Sequence, residues 1–164
     1  MKKQLCLLLI LLLLLPLMGC SSGENNSVPF YYCRKPEAYQ YFAEDGVIHA
    51  EYRDLLGHRN DLGYMVSLYL AGPLEEGLIS PFPKTARLLS FHQESASIRI
   101  ELSDMGRSLT DPEFTLACAC LTLTCLDFTH CNEVIITSGE RSITMNSETI
   151  VLFDAPPRQD NTGG

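Results

Sequence analysis

The stretch TDPEFTLACACLTLTC, residues 110–125, decides the fold of this chain. It predicts the start of a helix, because Thr110 and Glu113 have capping-box spacing and Pro112 falls in the first turn. Apolar side chains then occupy nearly every side of the helix, which is typical of a helix buried at the centre of a domain. The apolar run of residues 134–137 follows closely and predicts a buried strand.

The chain before this helix predicts more strands and a second helix. Residues 30–33 and 46–53 are rich in β-favouring side chains and predict two strands. Residues 61–70 carry apolar side chains at helical spacing and stop at a Gly-Pro pair, which predicts an amphipathic helix. Residues 87–102 predict a β-hairpin that turns at residues 93–95, because apolar and polar side chains alternate strictly in its second half.

The connection between the first helix and the hairpin contains the sequence Gly-Leu-Ile-Ser-Pro-Phe-Pro, residues 77–83. Its prolines exclude a helix and a central strand. Leu78, Ile79 and Phe82 supply apolar anchors between restricted backbone positions. We therefore expect a rigid packing loop.

Residues 143–145 and 149–153 predict edge strands near the end of the chain. Together these elements predict an α/β (α+β) fold. We expect a single small domain with a mixed sheet and two main helices packed on one face.

The first nineteen residues have the layout of a secretory signal peptide. Lys2 and Lys3 precede an unbroken apolar run over residues 5–15, and Gly19 precedes Cys20. The run is shorter than the roughly 18 to 20 residues that span a bilayer. We predict that residues 1–19 are a cleaved signal peptide.

The end of this segment, Leu17-Met18-Gly19-Cys20, resembles the lipobox of bacterial lipoproteins. The resemblance implies lipid attachment to the Cys20 thiol, since only a thiol can form the thioether. It predicts a lipid-anchored protein on the extracytoplasmic face of the cell membrane. Residues 20–28 are then a lipid-anchored leash, residues 29–154 the folded domain and residues 155–164 a polar tail.

The charge balance is strongly acidic. Removal of Lys2 and Lys3 with the signal peptide leaves ten basic residues against 20 acidic ones, a mature net charge of −10. Such a surface repels nucleic acid and anionic lipid headgroups. We therefore expect no nucleic-acid partner.

Five cysteines remain once Cys6 leaves with the signal peptide and Cys20 is committed to lipid. On a helix, Cys118 and Cys120 project about 200° apart, and Cys118 and Cys125 lie about 10.5 Å apart along the axis. Such sulfurs cannot share one ion at about 2.3 Å. We predict small buried side chains and no metal site. Only Cys125 and Cys131 could be paired by a modest backbone rearrangement. The five are Cys33, Cys118, Cys120, Cys125 and Cys131.

His130 beside Cys131 is the one pair that suggests a thiolate and imidazole site. Adjacent residues rarely face each other, so a solvated turn histidine is the favoured interpretation. The sequence holds no nucleophile elbow, phosphate-binding glycine loop or dinucleotide fingerprint. We expect no enzyme activity and no cofactor.

The order of these segments resembles the GerMN domain of sporulation and spore germination lipoproteins. The resemblance implies a fold similar to a ring-building motif, with two helices on one face of a small sheet. It also implies assembly of envelope complexes through protein contacts, with no catalytic residue. The chain departs from the family in two respects. It holds one copy of the domain where the germination protein has two, and it has cysteines where the second helix of the family usually has alanine or aliphatic residues. The segments that carry the resemblance are residues 69–73, 77–83, 87–90, 100–103 and 121–124, the last leading to 134–136.

The favoured hypothesis is therefore a lipid-tethered module that binds one or more envelope proteins, in sporulation or germination. Its interface would use the aromatic side chains Tyr31, Tyr39, Tyr41 and Tyr52. One alternative is an extracytoplasmic hydrolase or thiol-redox protein that uses Cys131 with His130. Another is a module that binds a small ligand or cell-wall glycan.

Overall fold

The computed structural model describes residues 27–36, 46–55, 57–106 and 108–150. The predicted signal peptide, Cys20, Tyr39, Tyr41 and the polar tail lie outside these residues. Residues 151–153 of the last predicted edge strand also lie outside them.

Seven strands and two helices make up the described part of the chain. In chain order they are β1 (Ser27–Arg34), β2 (Ile48–Asp54), α1 (Leu62–Leu70), β3 (Leu78–Ile79), β4 (Leu88–Gln93), β5 (Ser97–Leu102), α2 (Asp111–Thr129), β6 (Glu133–Ser138) and β7 (Arg141–Asn146). The predicted mixed α+β single domain with two helices is confirmed. The predicted leash reached residue 28, whereas β1 already includes Ser27 and Val28.

The strands divide between two sheets. The N-terminal sheet has the order β2-β1-β3 and is antiparallel throughout. The C-terminal sheet has the order β4-β5-β6-β7 and is mixed, because β5 and β6 run parallel while both outer pairs run antiparallel. The connection from β5 to β6 passes through α2, as a parallel pair requires.

Helix α2 is covered from more than one direction. It contacts β1 of the N-terminal sheet as well as β6 and β7 of the C-terminal sheet. This placement explains why its sequence is apolar nearly all round. Its buried residues are Phe114, Ala117, Cys118, Cys120, Leu121, Thr122, Thr124 and Cys125.

Both ends of α2 follow from local sequence. The capping box predicted for Thr110 and Glu113 is present, and the Glu113 carboxylate accepts a hydrogen bond from the Thr110 N–H at 2.8 Å. The helix ends where His130 takes a left-handed backbone conformation with φ of 57°. This residue turns the chain from the helix into β6.

Helix α1 begins at the expected position. Asp61 caps it by accepting a hydrogen bond from the Tyr64 N–H at 2.9 Å. Its apolar stripe faces the core, with Leu62, Met65, Val66 and Tyr69 all buried. The Tyr69 ring stacks on Tyr32 with centroids 4.8 Å apart, which joins α1 to β1.

Candidate interaction surface

A buried ion pair lies on one face of β2. Glu51 and Arg53 are each 7% exposed, whereas Tyr52 between them is 68% exposed. Residues two apart in a strand share a face, so both charges project to the same side. The Arg53 guanidinium lies over the Phe30 ring, 4.9 Å from its centroid, and donates a hydrogen bond to the Glu51 carboxylate.

This pair holds the loop that follows α1. The Leu74 and Glu75 backbone N–H groups both donate to Glu51 Oε2 at 2.8 Å. Arg53 Nη2 donates to the Gly72 carbonyl at 2.7 Å. We call Glu51, Arg53 and these three backbone positions the loop clamp. It fixes the chain direction immediately after the helix.

The environment of Glu51 favours its charged form. Burial by itself would raise its pKa, but the hydrogen bonds from Arg53 and from the Leu74 and Glu75 amides outweigh burial and hold the pKa below its usual value. Both carboxylate oxygens of Glu51 thereby have hydrogen-bond partners. The clamp is therefore a satisfied charged cluster.

The clamped loop forms one wall of a surface groove. Leu78 and Phe82 are 4% exposed and pack into the core, as expected for a rigid packing loop, but Ile79 is 48% exposed. Leu78 and Ile79 form β3 against Cys33 and Arg34 of β1.

Two adjoining depressions make up this groove, of about 410 Å³ and about 630 Å³. Both are lined by Leu70, Ala71 and Lys84. One extends along β3 to Phe82 and the other to Leu88 at the start of β4. We call the two together the loop groove.

The charge of the loop groove is opposite to that of the chain. Its lining includes Lys84 and Arg87 but no Asp or Glu among the described residues. Arg87 Nη1 donates to the Lys84 and Ala86 carbonyls at 2.6 Å and 2.7 Å, which restrains the guanidinium at the rim. Ile79 of this lining is 48% exposed. The groove thus combines apolar walls with a basic rim.

The structure describes two of the four tyrosines that were predicted to form an interface, Tyr31 and Tyr52. Tyr52 and Tyr31 lie on the same face of the N-terminal sheet, because Tyr52 is opposite Pro29 and Tyr31 is opposite Ala50. Tyr31 is half-buried and its hydroxyl donates to Asp127 at 2.8 Å. Neither tyrosine lines the loop groove.

The five cysteines described by the structure are buried with free thiols. Burial raises the pKa of Cys118 to about 12 and also raises that of Cys125, which keeps both thiols protonated. No group of three or more His, Cys, Asp or Glu residues that could hold a metal ion occurs in the described ranges.

His130 and Cys131 lie in different environments. His130 is exposed at the end of α2, whereas Cys131 is 9% exposed. The two members of the predicted pair, Cys125 and Cys131, are both buried with free thiols. Cys33 on β1 and Cys120 on α2 are also buried.

Sequence reasoning also missed the charged residues of the clamp. Glu51 and Arg53 stand two apart in a predicted strand, and opposite charges at that spacing signal a shared face. The strand was recognised by its β-favouring residues, which did not show which face is buried.

Comparison with known proteins gives one distant structural likeness. The fold is similar to a solved structure described as "Putative Lipoprotein from Clostridium perfringens", with 16% sequence identity and a TM-score of 0.45 over 74% of this chain and 87% of that one. No family model and no curated protein matches the chain. The resemblance to the GerMN domain therefore stays a prediction from the sequence.

Proposed function

We propose that this chain is an exported lipoprotein, held at the extracytoplasmic face of the membrane by lipid on Cys20, whose folded domain binds an envelope protein through the loop groove. The observation that carries the binding role is a basic, partly apolar groove, shaped by a buried clamp, on an acidic chain. The proposal assigns no catalytic step to the domain.

The anchor is supported by the lipobox-like sequence that ends at Cys20. No helix in the described ranges is long and apolar enough to cross a membrane. Two or three acyl chains hold a protein stably at a bilayer, since each buried methylene contributes about 0.8 kcal/mol.

The groove has properties that suit a protein partner. Its walls are fixed before binding, so little conformational entropy is lost when a partner is seated. Exposed Ile79 offers apolar contact area in the depression that Lys84 also lines, and Arg87 lines the adjoining one. Charge complementarity then favours a partner segment with apolar side chains flanked by carboxylates.

The anchor is tested by replacing Cys20. We expect Cys20→Ala to prevent acyl labelling and to release the mature protein from the membrane fraction. Cys6→Ala is the matched control, because it removes a cysteine of the signal peptide upstream of the predicted cleavage site. Continued acyl labelling of the Cys20→Ala protein would show that the lipid is elsewhere.

The groove is tested by charge reversal and crosslinking in intact cells. We expect Lys84→Glu with Arg87→Glu to abolish crosslinking to a partner identified by mass spectrometry, and to leave the melting temperature unchanged. Arg99→Glu reverses an exposed charge on β5, outside the groove lining, and should leave capture intact. Equal capture by both variants would exclude the groove as the binding surface.

The finer proposal is that the partner belongs to a sporulation or germination complex. It is supported by the segments that resemble the GerMN domain, including the loop that forms the groove wall. Deletion of the gene should then lower spore yield or delay germination, with growth rate unchanged. Normal spore yield and germination would exclude the sporulation role and leave a general envelope role as the proposal.

A further inference from the structure

Strand β4 is an outer strand of the mixed sheet. Among the described residues it pairs with β5 alone, so no strand of this part of the chain covers its other edge. Leu88 is half-buried, and the five residues of β4 that follow it are exposed. The strand sequence Leu-Leu-Ser-Phe-His-Gln contains no Lys, Arg, Asp, Glu or Pro, the residues that commonly keep an edge strand from pairing with another chain. The edge is therefore open to a further strand.

The direction of the main-chain groups along this edge follows from the register. The Glu94 N–H donates to the Ser97 carbonyl at 2.9 Å, which makes these two residues a hydrogen-bonded pair. In an antiparallel ladder, such pairs alternate with pairs whose N–H and C=O groups point away from the neighbouring strand. Along the register of β4 with β5, Gln93 and Phe91 belong to the second kind. Their main-chain groups therefore point to the open edge.

A bulge lies between these two residues and the loop groove. The register shifts between Leu88 and Ser90, so Leu89 is an extra residue, and its side chain is 60% exposed. Gln93 is five residues after Leu88, roughly 16 Å along a strand. A segment that pairs with Phe91 and Gln93 and continues past the bulge reaches Leu88, which lines the loop groove.

Helix α1 lies alongside β4 and supplies the opposite wall. A Cβ added at Gly63 would lie 2.8 Å from the Phe91 ring, so the helix backbone approaches the strand closely at this point. Further along the helix, Ser67 and Leu70 line the same depression as Leu88. The helix and the strand thus touch near Phe91 and are separated by a depression near Leu88.

We propose that the occupant of the loop groove is an extended segment of the partner protein, which adds a strand to the free edge of β4. This inference rests on the proposed function and specifies how the partner is held. Main-chain hydrogen bonds to Phe91 and Gln93 hold the segment whatever its side chains are. Its continuation places apolar side chains between α1 and Leu88, and carboxylates beside Lys84 and Arg87.

The edge and the groove together define the chemistry of the occupant. The free edge of a strand presents donors and acceptors at the spacing of another strand, so a polypeptide backbone matches it and a glycan does not. The groove lining carries the cations of Lys84 and Arg87 and, among the described residues, no Asp or Glu. An acidic, partly apolar polypeptide segment is the ligand that satisfies both conditions.

The test uses the mature lipoprotein in detergent and random short peptides displayed on phage. Peptides are selected on the unaltered protein and then screened against a variant that combines Lys84→Glu with Arg87→Glu. Those that bind only the unaltered protein depend on the groove and are synthesised. We expect them to carry apolar side chains at alternate positions and Asp or Glu near one end.

A substitution at the edge tests the main-chain contact. Gln93→Pro removes an outward N–H and keeps the hydrogen bonds to β5, so it should weaken binding of the selected peptides about tenfold. Proline is tolerated in an edge strand where its missing N–H would face outward. Gln93→Ala is the matched control, because it removes most of the same side chain and retains the N–H. It should bind the peptides as the unaltered protein does.

Methylation of the peptide backbone gives a second readout that needs no altered protein. N-methyl groups are placed at one position at a time along a selected peptide. Alternate N–H groups of a paired strand face the neighbouring strand. Methylation should therefore abolish binding at alternate positions and have little effect at the positions between them.

The outcomes separate strand addition from the groove itself. N-methyl effects that do not alternate, or equal binding of the selected peptides to Gln93→Pro and Gln93→Ala, would overturn strand addition and leave the groove as the binding surface. If every selected peptide also bound the charge-reversed variant, the groove itself would be excluded, and the proposed function with it. Self-association of the lipoprotein that Gln93→Pro abolishes would assign the edge to a second copy and would also overturn the proposal.

Discussion

The Tyr31 backbone N–H donates to the Thr124 hydroxyl at 3.0 Å, so a helix side chain satisfies strand β1 where no neighbouring strand does. Strand β3 pairs only with Cys33 and Arg34. The Tyr31 carbonyl accepts from the Tyr69 hydroxyl at 3.0 Å. Side chains of both helices thus close this edge of β1, which otherwise would present unpaired polar groups inside the domain.

We expect Thr124→Val to lower the free energy of unfolding by about 1 to 3 kcal/mol, because it leaves the Tyr31 N–H without an acceptor. Urea unfolding measures the difference. Thr122→Val is the matched control, since Thr122 is equally buried in the same helix and its Oγ1 has no hydrogen-bond partner. The control should be neutral or stabilising. Equal losses of unfolding free energy in both variants would mean that the hydrogen bond to Tyr31 does not account for the effect of Thr124→Val.

The loop clamp predicts a large effect of removing one charge. Arg53→Met leaves Glu51 buried without its cation and should cost about 3 to 5 kcal/mol in unfolding free energy. The double variant with Glu51→Gln should lose less than the sum of the single losses, because neither partner is then left charged. Additive losses in chemical unfolding would show that the two residues act independently.

The clamp also predicts an acid dependence of stability. The folded-state pKa of Glu51 lies below its usual value of 4.5, so its stabilisation is complete above pH 4.5. It is lost as the pH falls through the folded-state pKa. Thermal unfolding of Glu51→Gln at successive pH values should show a shallower decline on the acid side. The acid dependence that remains in the Glu51→Gln variant includes a contribution from Glu113, whose pKa is lowered by its hydrogen bonds from Thr110. An unchanged acid slope in the variant would contradict this role.

Gly139 is required for a turn and for a close approach. It has φ of +59°, and a Cβ added there would lie 2.7 Å from Asp104 Oδ1. Gly139→Ala should therefore cost more than the roughly 1 to 2 kcal/mol of left-handed strain alone. Gly46→Ala isolates that strain, because φ is +72° and no atom lies within 4 Å. Equal melting temperatures for the two variants would refute the steric part of the argument.

The groove wall contains a buried and an exposed apolar side chain, for which the proposed function predicts different effects of substitution. Phe82→Ala empties a buried site and should cost about 3 to 5 kcal/mol in unfolding free energy. Ile79→Ala removes a side chain that is 48% exposed and should change stability by less than about 0.5 kcal/mol while weakening partner capture. If Phe82→Ala kept its stability but no longer captured the partner, Phe82 would belong to the recognition surface and not to the core.

Local patterns predicted the elements well, and their limits are physical. The capping box at Thr110 and the Gly-Pro stop after α1 depend on neighbours in sequence, so they were recognisable. The burial of Glu51 and Arg53 depends on backbone groups about 20 positions away. A strand pattern alone therefore cannot show that its charged face is the inner one.

The division into two sheets was also beyond the sequence. The predicted hairpin and the parallel pairing of β5 with β6 form one mixed sheet, but β1 and β2 pair in a separate sheet that contacts α2 through β1. An all-round apolar helix predicts burial without saying which strands cover it.

Every contact that the loop clamp makes with the loop is to a main-chain atom, whether the amides of Leu74 and Glu75 or the carbonyl of Gly72. The shape of this wall is therefore insulated from the side chains it displays. Replacement of the Leu74 side chain should leave these hydrogen bonds in place, because that side chain takes no part in them. The same insulation makes position 74 suited to a display library in which one exposed side chain is varied without refolding the domain.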